Sequence, residues 1–187
     1  MIKTKEDLRY YITQDLKANR VKMGGAKSKI VNWLNPRLRF TMNLRYYEYY
    51  LNQSKKGIWC KFMILYHYFI HKHLSYKLGY TIYPNNFGPG MYLCHYGTIV
   101  INEAVRIGAN CTMHVCVNIG RGGSVIGDNV YFGPGVKVIE AVRIGNNVQI
   151  GANAVVNKDI PDNCVVVGVP AKPIKRFNIT TQKWEKV

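Results

Sequence analysis

From residue 101 onward, aliphatic residues recur along the chain with a period of six. Ile101, Ile107, Met113 and Ile119 lead successive units, and after one extra residue the series continues as Ile126, Phe132, Val138, Ile144, Ile150 and Val156. Four places behind each leader stands a second small or apolar residue: Val105, Cys111, Val117, Gly123, Val130, Val136, Val142, Val148, Ala154 and Ile160. Gly or Asn often follows the leader directly, which suits a turn. Neither the helical period of 3.6 nor the strand period of 2 fits this spacing. Ten units in near-unbroken register predict a solenoid, in which short strands alternate with tight corners and each coil stacks on the last.

Residues 1–78 follow a helical pattern instead. Thr4, with Asp7 three places on, predicts a capping box ahead of Leu8, Tyr11, Ile12 and Leu16. Gly24-Gly25 is expected to break the chain. A second helix is expected from about Pro36 to Asn52, and a third from Ile58 to Leu78, closed by Gly79. Both are rich in aromatics interleaved with Lys and Arg, which at helical spacing are expected in the core or in a subunit contact. The expected organisation is therefore a helical region over 1–78, a β-solenoid over 79–176 and a tail over 177–187.

Charge changes this picture in one respect. Residues 1–80 carry 16 Lys/Arg against 4 Asp/Glu, net +12, while residues 81–187 carry 10 against 6, net +4. An excess concentrated in the helical part suggests either an anionic partner there or a solvated basic face. Met1 to Asp7 is charged and lacks the apolar core of a secretory signal, and Ile58 to Leu78 carries too many Lys and His to span a bilayer. Five cysteines without CxxC spacing read as reduced thiols, so a cytoplasmic protein is expected, at most touching the inner face of a membrane.

The candidate chemistry lies at the foot of the ladder. Counting the six-residue register back from Ile101 lands on His95, with Ile99 as its second member, so an imidazole is expected at a core position. His114 follows 19 residues later, on nearly the same edge one strand spacing (about 4.8 Å) away, at a corner position that points outward. Two imidazoles stacked at one corner form a candidate proton-handling site. Cys94 could in principle form an acyl intermediate, but adjacent side chains on a strand face opposite ways.

The stretch Phe87-Gly88-Pro89-Gly90-Met91-Tyr92-Leu93-Cys94-His95-Tyr96-Gly97-Thr98 resembles the segment around the catalytic histidine of the serine O-acetyltransferases, within the hexapeptide-repeat acyltransferase family. It resembles still more their relatives in bacterial surface-polysaccharide clusters, which share His-Tyr-Gly-Thr and a later His-Val-x-Val-Asn-Ile-Gly, here His114 to Gly120. The resemblance implies a mainly β fold, a left-handed parallel β-helix with three units per coil preceded by α-helices. It also implies an acetyl-CoA-dependent O-acetyltransferase with His95 as general base, His114 assisting, and no metal. Three departures bear on the acceptor. Where serine acetyltransferases carry Asp before the histidine, this chain has Cys94; where they carry Asp-Ile-His-Pro, it has Thr81-Ile82-Tyr83-Pro84. Their later histidine-bearing loop is absent, since Arg121-Gly122-Gly123-Ser124 leads straight into the next unit. Those losses favour an uncharged sugar hydroxyl over serine.

Gly168-Val169-Pro170-Ala171-Lys172-Pro173-Ile174-Lys175 resembles the donor-binding end of sugar O-acetyltransferases of this fold. By that likeness Ala152 and Pro134 line the pantetheine arm, Asn157 and Lys158 flank it, and Lys172 and Lys175 meet the CoA phosphates. The likeness further implies a homotrimer with the donor between subunits. The expected function is thus acetyl transfer to a glycan or surface-polysaccharide precursor. Serine O-acetyltransfer is the alternative, and a basic nucleic-acid-binding protein the non-enzyme rival. No reading motif for nucleic acid accompanies the charge, so no nucleic-acid partner is expected, whereas contact with an anionic membrane surface fits it.

Overall fold

The computed structural model describes residues 1–21, 35–53, 57–178 and 180–187. Among these residues three helices come first. α1 (Lys5–Ala18) starts at the expected capping box: Asp7 N–H donates to the Thr4 hydroxyl at 3.0 Å, and Asp7 Oδ2 accepts from Thr4 N–H at 2.9 Å. α2 (Pro36–Leu51) is capped by Asn35, whose Oδ1 accepts from Arg37 N–H, with Pro36 filling the first turn where no N–H is needed. α3 (Ile58–Leu78) ends at Gly79, held in the left-handed region at φ 77°. The expected break at Gly24-Gly25 lies outside the described residues.

After α3 the chain winds into a left-handed parallel β-helix of triangular section. One face stacks β1 (Tyr80–Thr81), β3 (Ile99–Ile101), β6 (Asn118–Ile119), β9 (Lys137–Val138) and β12 (Val155–Val156). The second stacks β4 (Arg106–Ile107), β7 (Val125–Ile126) and β10 (Arg143–Ile144). The third stacks β2 (Tyr92–Leu93), β5 (Thr112–Met113), β8 (Tyr131–Phe132), β11 (Gln149–Ile150) and β13 (Cys164–Val167). Here the C-terminus adds an antiparallel hairpin, β14 (Lys172–Asn178) and β15 (Lys183–Lys186). The expected division after 176 therefore falls inside β14, and the segment beyond it continues the third sheet.

All ten unit leaders from Ile101 to Val156 are buried, because alternation turns each into the prism while its strand neighbour faces out. The second series is buried too, with one correction. Gly123 is exposed and Ser124 fills the core place, since the extra residue of that unit lies before it. A hydroxyl is tolerated there because it donates to Glu140 O at 3.1 Å and accepts from Val142 N–H at 3.3 Å. Between the second and third faces, Asn110, Asn129, Asn147 and Asn163 all sit at positive φ, and each of the first three donates from Nδ2 to the Oδ1 of the next at 2.9–3.0 Å. Asn serves this corner because it enters the left-handed region readily and its amide continues the ladder.

The placing of His95 is also corrected. The residue paired with the leader Met113 is Leu93, not His95. The corner between Leu93 and the next core residue, Ile99, is two residues longer than in the regular units, so the register slips. Gly97, at φ 137°, accommodates the longer corner, and His95 is carried out of the core to an exposed position.

The helices share the coil's core. Phe40 and Leu44 from α2, and Leu74 and Leu78 from α3, join Tyr80, Ile82 and Phe87 of the first coil in one buried cluster that continues to Val166. The helical region thus closes the N-terminal end of the prism.

Candidate active site

Four of the expected site residues lie along one edge of the prism, between the third face and the first. Backbone bonds tie the levels of that edge together. Cys116 N–H donates to Thr98 O at 2.7 Å, Gly135 N–H to Val115 O at 2.9 Å and Asn153 N–H to Pro134 O at 2.8 Å. The corner segments His95–Thr98, His114–Cys116, Gly133–Gly135 and Gly151–Asn153 are therefore stacked in that order, which aligns His95, His114, Pro134 and Ala152.

At the foot of the edge the two imidazoles face each other, ring centroids 6.0 Å apart. His114 is half-buried with its ring edge-on to Tyr131 at 5.4 Å, whereas His95 is exposed. A positioned, solvent-accessible imidazole beside a second one can accept a proton from a bound hydroxyl. Among the described residues no carboxylate is hydrogen-bonded to either ring. Backbone contacts hold the His95 segment instead. The Tyr80 hydroxyl donates to His95 O at 2.7 Å, and Arg37 Nη1 donates to Leu93 O at 2.8 Å and to Cys94 O.

Behind this segment lies a buried ionic cluster. Arg45, fully buried, donates to Asp15 at 2.7 Å and to Glu48 at 2.9 Å, and its remaining N–H groups reach Phe87 O and Gly88 O at 3.0 and 2.7 Å. Asp15 Oδ1 accepts in turn from Gly90 N–H and Met91 N–H, both at 2.8 Å, and Glu48 from Asn85 N–H at 2.7 Å. Burial works against the guanidinium charge, but Glu48 and Asp15 outweigh it and hold Arg45 firmly protonated. The cluster fixes residues 85–91, the strap that runs into β2 and the His95 corner. Sequence reasoning missed it. The signal was available: only four acids stand among the 16 basic residues of the first 80, and with Glu6 and Asp7 in the first turn of α1, Asp15 and Glu48 remain.

Cys94 is buried beside His95, and burial raises its thiol above the ordinary range, Arg37 only partly offsetting this. It is a thiol, not a thiolate, at neutral pH. Cys94→Ala is expected to retain at least about half of the parental turnover, and thiol-specific alkylation that leaves turnover intact would agree.

A cavity of about 490 Å³ opens between α3 and the first coil, next to the same corner. Tyr47, Tyr68, Tyr76, Tyr80 and Tyr83 line it, with His71, Lys72 and Thr81, and among the described residues no Asp or Glu lines it. His71 donates from Nε2 to Ile82 O at 2.9 Å, leaving Nδ1 as a buried acceptor without a partner among the described residues. Burial lowers its pKa, the Ile82 carbonyl opposing, so the ring is neutral near pH 7. Tyr80 belongs both to this cavity and, through its hydroxyl, to the His95 corner.

The other expected donor residues are dispersed. Ala171 N–H donates to Val155 O at 2.8 Å, which lays the segment before β14 across the top of β12 and brings exposed Lys172 to the upper end of the edge. Lys175 pairs with Val165 further along β14. Asn157 and Lys158 follow β12 and therefore stand at the next edge, separated from Ala152 by that strand.

Comparison with known proteins gives this edge its context. The model of the bacterial transferase hexapeptide family, six repeats, matches residues 123–158. The serine acetyltransferase of Helicobacter pylori is 36% identical over 121 residues, covering 58% of this chain and 71% of that protein. The chain belongs to the hexapeptide-repeat acyltransferase family. A putative lipopolysaccharide biosynthesis O-acetyl transferase of Escherichia coli, WbbJ, is 52% identical over a shorter stretch of 62 residues, 33% of this chain and 32% of that protein. Among solved structures, serine acetyltransferase of Neisseria gonorrhoeae superposes with a TM-score of 0.71 at 25% identity, covering 96% of this chain and 71% of the other. The chain spans about half the length of several curated serine acetyltransferases that it matches. The match to the gonococcal enzyme extends through the helical region as well as the coil.

Proposed function

We propose that this protein is an acetyl-CoA-dependent O-acetyltransferase whose general base is His95. The observation that carries the reading is the single edge on which exposed His95, His114, Pro134 and Ala152 are aligned. In the proposed reaction the His95 imidazole takes the proton of an acceptor hydroxyl while that oxygen attacks the thioester carbonyl. The tetrahedral intermediate collapses by breaking the C–S bond, and the leaving thiolate recovers the proton from the imidazolium. The products are an O-acetyl ester and CoA. Small residues at Pro134 and Ala152 let an extended thiol arm run along the edge. Lys172 at its upper end, and Lys175 further along β14, offer cations that suit the CoA phosphates. A solved serine acetyltransferase of this fold holds CoA, which is consistent with that donor. A homotrimer with the donor between neighbours completes the proposal, and Asn157 and Lys158 on the adjoining edge would then contribute across the subunit boundary.

The double change Lys172→Ala/Lys175→Ala is expected to raise KM for acetyl-CoA about tenfold or more while changing kcat little, as follows when ground-state binding is lost. Initial rates over a range of acetyl-CoA would show it.

For the acceptor, the relatives favour L-serine, because serine acetyltransferases predominate among them. A specific observation keeps a sugar hydroxyl as the second reading: the cavity beside His95 is walled by tyrosines, and among the described residues no carboxylate lines it to meet an α-ammonium group. Tyrosine rings offer apolar faces to sugar C–H groups and hydroxyls to their oxygens. Thiol release from acetyl-CoA, measured with L-serine and with a panel of surface-polysaccharide sugars, separates the two. Turnover on serine alone would establish the first reading, turnover on a sugar alone the second, and release with neither above the hydrolytic background would overturn the proposed activity.

A further inference from the structure

Helix α3 turns the wrong side outward for a helix in water. Its inner strip, with His67, His71, Leu74 and Leu78 buried, is no more apolar than its outer one. On the outer side Ile58, Trp59, Phe62, Leu65, Tyr66 and Phe69 are all exposed, Trp59 by 68%, Phe62 by 57% and Phe69 by 61%. At 100° per residue these six fall within one continuous stripe, and Trp59 and Phe62 stack with ring centroids 5.7 Å apart. Lys61 and Lys72 border the stripe on one side and Lys77 on the other, all exposed, and the helix contains no Asp or Glu. Twenty-one residues make it about 30 Å long, yet no helix among the described residues is long and apolar enough to cross a membrane.

We propose that α3 docks the protein flat onto an anionic membrane surface, its aromatic stripe seated at the headgroup boundary and its lysines paired with lipid phosphates. An aromatic and aliphatic face flanked by lysines is the composition of a helix lying in the interface plane. Charge selects this occupant over the same stripe of a second copy. Two copies would bring Lys61, Lys72 and Lys77 against their own kind, with no acid on the helix to offset them, whereas each lysine gains from an anionic leaflet. The net +12 of residues 1–80 adds attraction of the same sign. The proposal concerns this face alone and does not depend on which acceptor is acetylated.

The test is sedimentation of the protein with vesicles of phosphatidylcholine, with and without about 30% phosphatidylglycerol, at about 0.15 M salt. Binding is expected to the anionic vesicles and to be weak to the neutral ones. Phe62→Glu/Phe69→Glu is expected to abolish it, and Lys61→Gln/Lys77→Gln to weaken it by roughly tenfold or more, at about one kcal/mol per lysine. Neither variant touches the His95 corner, so thiol release and oligomeric mass by light scattering should stay at parental values. Equal sedimentation of parent and both variants would overturn the proposal. So would absence of vesicle binding by a parent whose mass exceeds that of Phe62→Glu/Phe69→Glu, which would assign the stripe to a contact between copies.

Discussion

His95→Ala is expected to lower kcat by about 10²–10⁴ while leaving acetyl-CoA affinity and oligomeric state unchanged. The size follows from what the imidazole does: without a positioned base the acceptor hydroxyl must attack as the neutral alcohol. The selectivity follows from where it sits. Its side chain is exposed at a corner and fills no core space, since Leu93 holds the place opposite Met113. A fold that survives its removal is therefore expected, which a core histidine would not allow. His114→Ala should cost less, roughly tenfold, because the second ring supports the first without touching the transferred proton. Steady-state kinetics with circular dichroism on each purified variant would check both. Near-parental turnover of folded His95→Ala would remove the histidine from the mechanism.

The other large effect lies 50 residues upstream. Arg45→Ala is expected to destabilise the protein by about 3–5 kcal/mol, because it strands the carboxylates of Asp15 and Glu48 in a dry interior. Replacing all three charges with apolar residues is not expected to restore stability, although such replacement often does for a buried ion pair. Here the cluster also serves the strap. Arg45 donates to the carbonyls of Phe87 and Gly88, and Asp15 accepts from the N–H groups of Gly90 and Met91. An apolar trio would leave those four backbone groups without partners inside the protein. Urea unfolding of both variants is the measurement. Equal stability of Arg45→Ala and the parent would show that the strap holds itself.

The coil was legible because its physical cause is written in single residues: each inward place requires an apolar side chain, and the places recur at fixed spacing. Ile101 to Val156 could be assigned one by one. The first helix could be read from Thr4 and Asp7, and the close of the third from Gly79, because caps are local chemistry. What failed were the insertions. Steps of six carried back from Ile101 put His95 in the core because they cross a corner that holds two extra residues. Nothing in Cys94 to Thr98 announces that length except Gly97, and a glycine in a turn-rich sequence is a weak marker. The same spacing puts Gly123 in the core, one residue from Ser124, for the same reason. The strap and its ionic cluster escaped notice because they join residues 30 to 76 positions apart, which no local pattern records. The order along the edge also required the fold. Pro134 and Ala152 are 18 residues apart, one coil, but only the stacked corners bring them into line with the imidazoles.

The central claim, that donor and base share this edge, is tested most directly by the structure of the protein with CoA bound. The account predicts the pantetheine arm lying along Pro134 and Ala152, with the CoA sulfur within about 5 Å of His95 Nε2 or Nδ1, near enough for one acceptor oxygen to lie between them. CoA bound at another face of the prism, or with its sulfur more than about 10 Å from every His95 imidazole of the assembly, would contradict it.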